Sequence, residues 1–462
     1  MSLIPGSVGS ILDAVGHTPL VKLGVLGAHT KADIYVKCEF LNPGGSMKDR
    51  VAIHIVNEAE ARGELRPGGT IVEATSGNTG MGLAMVAAVR NYKCVFVMPD
   101  KMSDEKIRAL RAVGAKVVVC PTEVEPEDPR SYYSVSRRIA EETPNAFLAN
   151  QYHNPSNPEG HYKSTGPELW EQTQGEIDAF VAGMGTGGTL SGTGKYLKEK
   201  KPSIQVIGVD PVGSLYYDYV KTGRVTTAHP YKVEGIGEDF FPTTMNLKIL
   251  DDVIRVTDKE CFATARDMVK REGILCGGSA GAAVAGAIKY AEMRGDHQRI
   301  VVLLPDSAIR YLTKYLDDEW MRQNGFLGPD PGLGRVADLL ATRPKAQLYT
   351  AQAKDPVKQI IARMKEHGIS QVPVLDGARI LGLVNERDLL NYFVSQNADL
   401  DSEVGPLVDT QFSAVDLATP VATVSGLFNQ NAVVLVIENR ELRSVITKID
   451  VIEYMAKHLN AA

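Results

Sequence analysis

The chain has 462 residues and a formal net charge of −6, with 44% hydrophobic and 23% charged residues. This balance is ordinary for a globular protein and gives no basic surface for nucleic acid. No segment approaches the roughly 20 apolar residues of a membrane span, and the N-terminus lacks the pattern of a signal peptide. The five cysteines form no Cys-x-x-Cys pair, which excludes a zinc ribbon, a dithiol site and a disulfide framework. We expect a cytoplasmic protein of two or three domains with no metal site and no membrane partner.

Short β-branched runs alternate with helical patterns between about residues 34 and 305. Seven runs predict strands, at 34–36, 71–73, 95–98, 117–119, 180–182, 206–209 and 300–304. Four stretches between them have the helical period, at 81–90, 105–113, 134–142 and 261–272. The alternation predicts an α/β fold with open, mainly parallel sheets covered by helices. The chemistry is then expected in loops at the carboxyl ends of the strands.

A lysine follows a glycine turn in the segment 42–50, Asn-Pro-Gly-Gly-Ser-Met-Lys-Asp-Arg. A helix is predicted after the turn, so Lys48 lies in its first turn, where a cation opposes the helix dipole. A lysine destabilised as a cation has a lowered pKa, which is the condition for forming an imine with an aldehyde. The segment alone leaves a solvated surface lysine as an equal alternative.

A polar loop follows the predicted strand at 71–73. It contains Thr75, Ser76, Asn78 and Thr79 and precedes a helix. Hydroxyls, an amide and free N–H groups at a helix N-terminus form a site for a carboxylate or phosphate. Four polar side chains exceed what an N-cap needs, so an anion site is favoured over simple capping.

A glycine loop, Gly-Met-Gly-Thr-Gly-Gly-Thr at 183–189, follows the predicted strand at 180–182. Its glycines allow the backbone to wrap a phosphate. They also match the dinucleotide fingerprint, and Asp210 closes the next predicted strand at about the expected distance. Thr186 and Thr189 add hydroxyl donors that suit a terminal phosphate better than a pyrophosphate. The segment alone leaves both ligands open.

A further glycine loop at 275–281 contains Ser279. This serine either caps the next helix or contacts a ring nitrogen, and the residues alone favour the cap. As a ligand to a ring nitrogen, the hydroxyl would leave that nitrogen largely unprotonated.

Together with His-Thr-Pro-Leu at 17–20, these segments resemble the fold type II pyridoxal-phosphate enzymes, and more narrowly the cystathionine β-synthase family, over roughly residues 8–326. The resemblance implies that Lys48 forms an imine with pyridoxal 5'-phosphate, that Asn78 contacts the ring hydroxyl and that Ser279 lies at the pyridine nitrogen. The implied phosphate cradle is Gly185, Thr186, Gly187, Gly188 and Thr189. The implied ligands of the substrate α-carboxylate are Thr75, Ser76, Thr79 and Gln151.

The same motifs occur in O-acetylserine sulfhydrylases, which are cysteine synthases using O-acetylserine and sulfide. Tyr152, where sulfhydrylases usually have phenylalanine, and the acidic segment 234–240 favour the synthase. The resemblance then implies a lyase of transsulfuration that condenses L-serine with L-homocysteine to L-cystathionine and water, with H2S formation from cysteine as a further activity. A nicotinamide enzyme and an adenosyl-binding protein with an inactive catalytic half are the alternatives from other classes.

Residues 325–334 contain four glycines and two prolines, which predicts a linker. Two units of similar order follow and predict a duplicated βαββα unit. The first has a helix near 356–368, strands at 371–375 and 380–384 and a helix from 386; the second has a helix near 421–429, strands at 433–437 and 444–447 and a helix from 450.

This duplication resembles tandem CBS domains, a Bateman module. The resemblance implies binding of S-adenosylmethionine, or an adenine nucleotide, at Thr447, Ile449 and Asp450. The first copy has Asn385 where serine or threonine is usual, and a purely oligomerising module is the alternative. The predicted boundaries are 1–324 for the catalytic domain, 325–340 for the linker, and 341–397 and 402–462 for the two copies. A homodimer or homotetramer is expected, without haem, since only 47 residues precede the lysine at 48.

Overall fold

The computed structural model describes residues 4–459 except 76, 101, 103, 122–123, 125–127, 329–333, 344–347, 395–397 and 429–431. The chain forms two compact units, Met1–Asp317 and Asp318–Ala462. Within the described ranges, no helix combines the length and apolarity that a bilayer crossing requires.

The first unit contains two sheets. In chain order its strands are β1 (Leu20–Lys22), β2 (Asp33–Cys38), β3 (Thr70–Ala74), β4 (Lys93–Pro99), β5 (Lys116–Cys120), β6 (Ala146–Leu148), β7 (Ala179–Gly183), β8 (Gln205–Pro211), β9 (Asp252–Val256) and β10 (Arg299–Leu304). One sheet has the spatial order β1-β2-β10-β7-β8-β9, and the other has the order β5-β4-β3-β6. Every pairing is parallel except that of β1 with β2, so the predicted α/β fold with mainly parallel sheets is confirmed.

Ten α-helices of the described first unit connect and cover these sheets. They are α1 (Lys48–Ala61), α2 (Asn78–Arg90), α3 (Asp104–Ala112), α4 (Tyr132–Glu142), α5 (Ser156–Lys163), α6 (Thr165–Thr173), α7 (Gly188–Lys200), α8 (Tyr216–Thr222), α9 (Asp258–Asp267) and α10 (Gly278–Arg294). The single helix predicted at 261–272 is wrong in detail, because α9 ends at Asp267 and a π-helical segment, Met268–Glu272, follows.

Each sheet has its own apolar core. In the four-stranded sheet, Ile71 and Phe96 pack with Ile55 of α1 and Leu83 of α2, and all four side chains are fully buried. α1 packs against α2 and α5. Its first residue, Lys48, lines the same cavity as the glycine loop at the start of α7.

The second unit repeats one pattern twice, as the sequence predicts. The first copy has β11 (Ala351–Gln352), β12 (Gln371–Asp376) and β13 (Arg379–Asn385), and the second has β14 (Ser413–Val415), β15 (Val433–Glu438) and β16 (Glu441–Thr447). Its helices are α11 (Asp318–Gln323), α12 (Val336–Ala341), α13 (Val357–His367), α14 (Glu386–Val394), α15 (Val421–Leu427) and α16 (Lys448–Leu459). In both copies the first pairing is parallel, the second is antiparallel, and a bulge interrupts the second at the equivalent position.

The segment 325–340 predicted as a linker includes most of α12. Val336 and Leu339 of this helix are fully buried against Val434 and Tyr454 of the second copy. The short helix is thus part of the core of that copy, and the predicted domain boundaries remain predictions.

Candidate active site

The lysine segment is shaped by two glycines. Gly45 has a φ of +80°, which glycine adopts without strain, and its N–H donates to Asn42 O over 2.8 Å. Gly44 N donates to Asp49 Oδ2 at 2.6 Å, and a Cβ on Gly44 would lie 2.4 Å from Asp49 Oδ1. The turn therefore ends in α1 with Lys48 as its first residue.

Burial lowers the pKa of Lys48 to about 8, although the charges of Asp306 and Glu238 favour its ammonium form. The lowered pKa of Lys48 was predicted from the sequence, but the helix dipole was given as its cause. The main cause is removal of the ammonium from water. The side chain lines a cavity and so keeps some exposure. A substantial fraction of its amine is neutral near pH 8, as nucleophilic and basic chemistry requires.

A small cavity lies beside Lys48. Four residues of the predicted phosphate cradle line it together with the lysine: Gly185, Thr186, Gly187 and Thr189. Gly187 has a φ of +85°, and a Cβ there would lie 2.5 Å from Met245. The next residue, Gly188, begins α7, so the loop directs the N–H groups of a helix N-terminus toward an anion.

Polar side chains from other elements hold this loop. Asn157 Nδ2 donates to Thr186 Oγ1 at 3.2 Å, and Thr244 Oγ1 donates to Thr186 O at 2.6 Å. A Cβ on Gly188 would lie 1.9 Å from Asn157 Oδ1. Thr189 Oγ1 lies 3.1 Å from Nε2 of His161, a fully buried histidine that the sequence argument missed.

Asp210 is not available to bind a ribose hydroxyl, as the dinucleotide alternative requires. Asp210 is fully buried in β8, and its Oδ2 accepts from Tyr217 N at 2.8 Å at the start of α8. Burial raises its pKa to about 6. Asp210 thus supports the backbone of its own unit rather than a nucleotide hydroxyl.

The loop after β3 contains a buried threonine that accepts hydrogen bonds from the start of α2. Thr75 Oγ1 accepts from Gly77 N at 3.1 Å and from Gly80 N at 3.3 Å. With both lone pairs engaged, its hydroxyl proton is free to donate to an anion. Thr79 Oγ1 donates to Gln151 Oε1 at 2.5 Å, which brings two of the predicted carboxylate ligands together. Ser76 lies outside the described residues.

Glu73 lies directly beneath this loop and was not anticipated. Gln151 N donates to its Oε1 at 3.3 Å, and burial raises the pKa of Glu73 to about 8. The carboxyl is therefore protonated at neutral pH and supports Gln151 without adding a negative charge to an anion site.

Asn78 is the first residue of α2 and belongs to a polar cluster. Its Nδ2 donates to Asp306 Oδ2 at 2.9 Å, and Arg310 donates to its Oδ1 at 2.6 Å. Tyr311 also donates to Asp306 Oδ2 at 2.7 Å. The second N–H of the Asn78 amide remains for the predicted contact with a ring hydroxyl.

Ser279 is the second residue of α10 and is 4% exposed. A Cβ on Gly235, which lines the cavity, would lie 3.9 Å from Ser279 Oγ. The Ser279 hydroxyl therefore lies near one of the residues that line the cavity, and its predicted contact with a pyridine nitrogen stays a prediction.

Tyr152 is part of an aromatic cluster next to Gln151. Its ring centroid lies 5.2 Å from that of Phe240 and 6.2 Å from that of Tyr133. Burial raises the pKa of Tyr152 well above its usual value, so the phenol stays protonated and can act as a donor.

Buried ion pairs hold the segment before Lys48 in place, and they were not predicted from the sequence. Arg50 donates to both carboxylate oxygens of Glu39 at 2.8 Å and to Glu168 Oε2 at 2.8 Å. Lys37 donates to Glu168 as well, and Asn42 Nδ2 donates to Glu39 Oε2 at 2.9 Å. Two cations thus balance two anions within a region removed from water.

In the second unit, Thr447 ends β16 and lies beside Asp450. Asp450 Oδ2 accepts from Thr447 N at 2.7 Å and from Thr447 Oγ1 at 2.6 Å. Its other oxygen pairs with Arg343 Nε at 3.1 Å, a cation that the sequence argument missed. Ile449 is 56% exposed. In the first copy, Asn385 Oδ1 instead accepts from the backbone at the start of α14.

Comparisons with known proteins agree with this architecture. The family described as pyridoxal-phosphate dependent enzyme matches residues 11–306, and the CBS domain family matches residues 336–395. The cystathionine β-synthase of Dictyostelium discoideum is 37% identical over 97% of this chain and 92% of that protein. The cysteine synthase of Staphylococcus aureus is 43% identical over 66% of this chain and 96% of that protein.

Among solved structures, a hydrogen sulfide-producing enzyme from Fusobacterium nucleatum is 36% identical and has a TM-score of 0.61, covering 66% of this chain and 99% of its own. The fold, the cavity and these likenesses define a fold type II pyridoxal-phosphate dependent enzyme with a C-terminal CBS domain. The chain belongs to the cystathionine β-synthase family.

Proposed function

We propose that this protein catalyses the pyridoxal-phosphate dependent condensation of L-serine with L-homocysteine to L-cystathionine and water. The observation that carries the proposal is that Lys48, with its lowered pKa, lines the same cavity as the glycine and threonine loop at 185–189. A lysine amine and an anion cradle across one cavity fit an aldehyde that also carries a phosphate.

The residues around the cavity fit the cofactor at three points. The N–H groups at the start of α7, with Thr186 and Thr189, would hold its phosphate, and Ser279 would accept or donate at its ring nitrogen. Asn78 would contact the ring hydroxyl while Asp306 and Arg310 hold its amide in place. The bound cofactor supplies an electron sink for charge that develops at the substrate Cα.

Lys48 would also move the protons of the reaction. With serine and the cofactor bound, its neutral Nζ would take the Cα proton as a general base. The same group would then return a proton to the leaving β-hydroxyl, which departs as water. The pKa of about 8 suits both steps, because the amine and ammonium forms are both well populated near pH 8.

The loop after β3 would orient the substrate. Thr75 would offer its hydroxyl, and Gln151 the N–H groups of its amide, to the serine α-carboxylate. Thr79 donates to Gln151 Oε1 and so would orient that amide at the predicted carboxylate site. Tyr152, next to Gln151, would line the site of the incoming homocysteine thiolate. Since Glu73 is neutral at pH 7, the site keeps the positive potential of the helix N-terminus.

A cysteine synthase using O-acetylserine and sulfide is the second candidate. The observation that favours it is the likeness to the Staphylococcus aureus cysteine synthase, which is 43% identical over 307 residues. The Fusobacterium nucleatum relative is described as a hydrogen sulfide-producing enzyme, which supports H2S formation as an additional activity.

Steady-state rates with serine or O-acetylserine, each paired with homocysteine or sulfide, separate the two candidates. We expect the highest kcat/KM for the serine and homocysteine pair, with cystathionine as product. A higher value for O-acetylserine and sulfide, without cystathionine formation, would assign the protein to cysteine synthesis instead. Lys48→Ala serves as the control, because it must abolish every one of these reactions if they share the site.

For the second unit we propose a regulatory site for S-adenosylmethionine or, second, an adenine nucleotide. Asp450 would accept hydrogen bonds from ribose hydroxyls, with Thr447 and Ile449 beside it. Because Arg343 already pairs with one Asp450 oxygen, a ligand must share or displace that contact. Calorimetric titration of the full chain tests this, and absence of binding would leave an oligomerising role in a homodimer or homotetramer.

A further inference from the structure

The imidazole of His161 forms hydrogen bonds with two hydroxyls. It lies on α5 and is fully buried. Its Nδ1 is 2.9 Å from Thr165 Oγ1, and its Nε2 is 3.1 Å from Thr189 Oγ1. Thr189 lines the cavity beside Lys48, whereas Thr165 begins α6 away from it. The imidazole therefore connects the proposed phosphate cradle to a neighbouring helix.

The imidazole carries a single proton. Burial lowers the pKa of His161 well below its usual value, and the charges of Lys48, Arg50 and His54 act in the same direction. A neutral imidazole has one N–H donor and one acceptor nitrogen. One of the two hydroxyls must then donate to the ring while the other accepts from it.

The choice of tautomer decides what Thr189 can do. If Nδ1 carries the proton, Nε2 accepts a hydrogen bond from Thr189, and the Thr189 hydroxyl has no proton left to donate elsewhere. If Nε2 carries the proton, Thr189 accepts from it, and the Thr189 proton can turn from its weak contact with Met47 Sδ, 3.4 Å away, toward an anion in the cavity. A phosphate dianion has only acceptors, so it can bind Thr189 only in the second arrangement.

We infer that His161 is a positioning residue of the phosphate cradle, which as its Nε2–H tautomer donates to Thr189 and thereby makes the Thr189 hydroxyl a donor to the cofactor phosphate. Thr165 completes the relay by donating to Nδ1. The inference rests on the proposed function, because it needs the 185–189 loop to bind the phosphate of pyridoxal phosphate.

The variants separate the two ring nitrogens. His161→Gln places an amide near the former Nε2 and keeps a donor to Thr189, whereas His161→Asn reaches only the position of Nδ1. Titration of the cofactor-free protein with pyridoxal phosphate measures the affinity. We expect His161→Asn to weaken binding by about 10- to 100-fold, the range for one hydrogen bond to a charged group. His161→Gln should restore most of that loss.

A double-mutant cycle distinguishes positioning from general support of the fold. In a Thr189→Val background, which has no hydroxyl to orient, His161→Asn should cause no further loss of cofactor affinity. An equal loss in both backgrounds would show a structural role and overturn the inference. If Thr189→Val itself leaves affinity unchanged, the proposed cradle fails, which is a different result from failure of His161 alone.

The tautomer is directly measurable. The ¹⁵N spectrum of histidine-labelled holoenzyme, with the His161 signals assigned by their loss in His161→Gln, should show a protonated Nε2 and an unprotonated Nδ1. A protonated Nδ1 in the holoenzyme would contradict the inference whatever the affinities are.

Discussion

Lys48→Met is expected to stabilise the first unit of the cofactor-free protein while abolishing its function. The folded protein lowers the pKa of Lys48 from 10.5 to about 8, chiefly by burial. At about 1.4 kcal/mol per pKa unit, holding the ammonium in the fold costs about 3 kcal/mol below pH 8. Methionine has a similar length to lysine and carries no charge. Because water in the cavity reduces the cost of the ammonium, we expect Lys48→Met to raise the free energy of unfolding at pH 7 by about 1–3 kcal/mol.

The sign of the pH dependence follows from proton binding. Between about pH 8 and pH 10.5 the unfolded chain binds more protons at Lys48 than the folded chain does, so wild-type stability from this group rises with pH. The advantage of Lys48→Met is therefore full below about pH 8 and shrinks as pH rises toward 10.5.

Urea unfolding of the full chain checks this expectation. The chain has two tryptophans, and Trp320→Phe leaves Trp170 on α6 as a fluorescent reporter of the first unit. Lys93→Met, at an exposed lysine of β4, is the matched control and should change stability little at any pH. A destabilised Lys48→Met at pH 7, or a gain that is the same at pH 7 and pH 10, would refute the reasoning.

Three further outcomes are expected. Glu39→Gln should lower the free energy of unfolding of the first unit, measured in urea, by about 3–5 kcal/mol, because Arg50 is left buried without its bidentate partner. A loss below about 1 kcal/mol would show that water enters the network. Tyr152→Phe should reduce cystathionine formation more than serine dehydration, measured as separate half-reactions, and equal losses would remove its assignment to the homocysteine site. Asp450→Ala should abolish adenosyl binding in calorimetry without changing basal activity, and undiminished binding would exclude the second-copy site.

Local patterns were sufficient wherever a segment's own residues determine its conformation. Seven of the ten described strands of the two sheets were predicted as β-branched runs, because both faces of a parallel sheet are largely buried, as β3 illustrates with all five residues buried. β6 and β9 were not predicted. The helix α5 was not predicted, because it contains Pro158 and Gly160, which are typical of turns. Nor was β1, a three-residue edge strand that is largely exposed.

The candidate site was predictable only in part for the same reason. Lys48 and the glycine loops are visible because each one is a continuous motif. The pairing of His161 with Thr189 and of Glu168 with Arg50 joins residues 28 and 118 positions apart, so only tertiary packing brings them together. The cause of the lowered Lys48 pKa was missed likewise, because burial is a property of the folded cavity.

The central claim is that Lys48 carries pyridoxal phosphate in this cavity. Reduction of the loaded protein with borohydride makes the bond between lysine and cofactor permanent, and peptide mass spectrometry then locates it. We predict one modified peptide containing Lys48, with Lys106 and Lys314 of the same unit unmodified. A cofactor attached to another lysine, or loss of all visible absorption upon mild dialysis without any labelled peptide, would contradict the account.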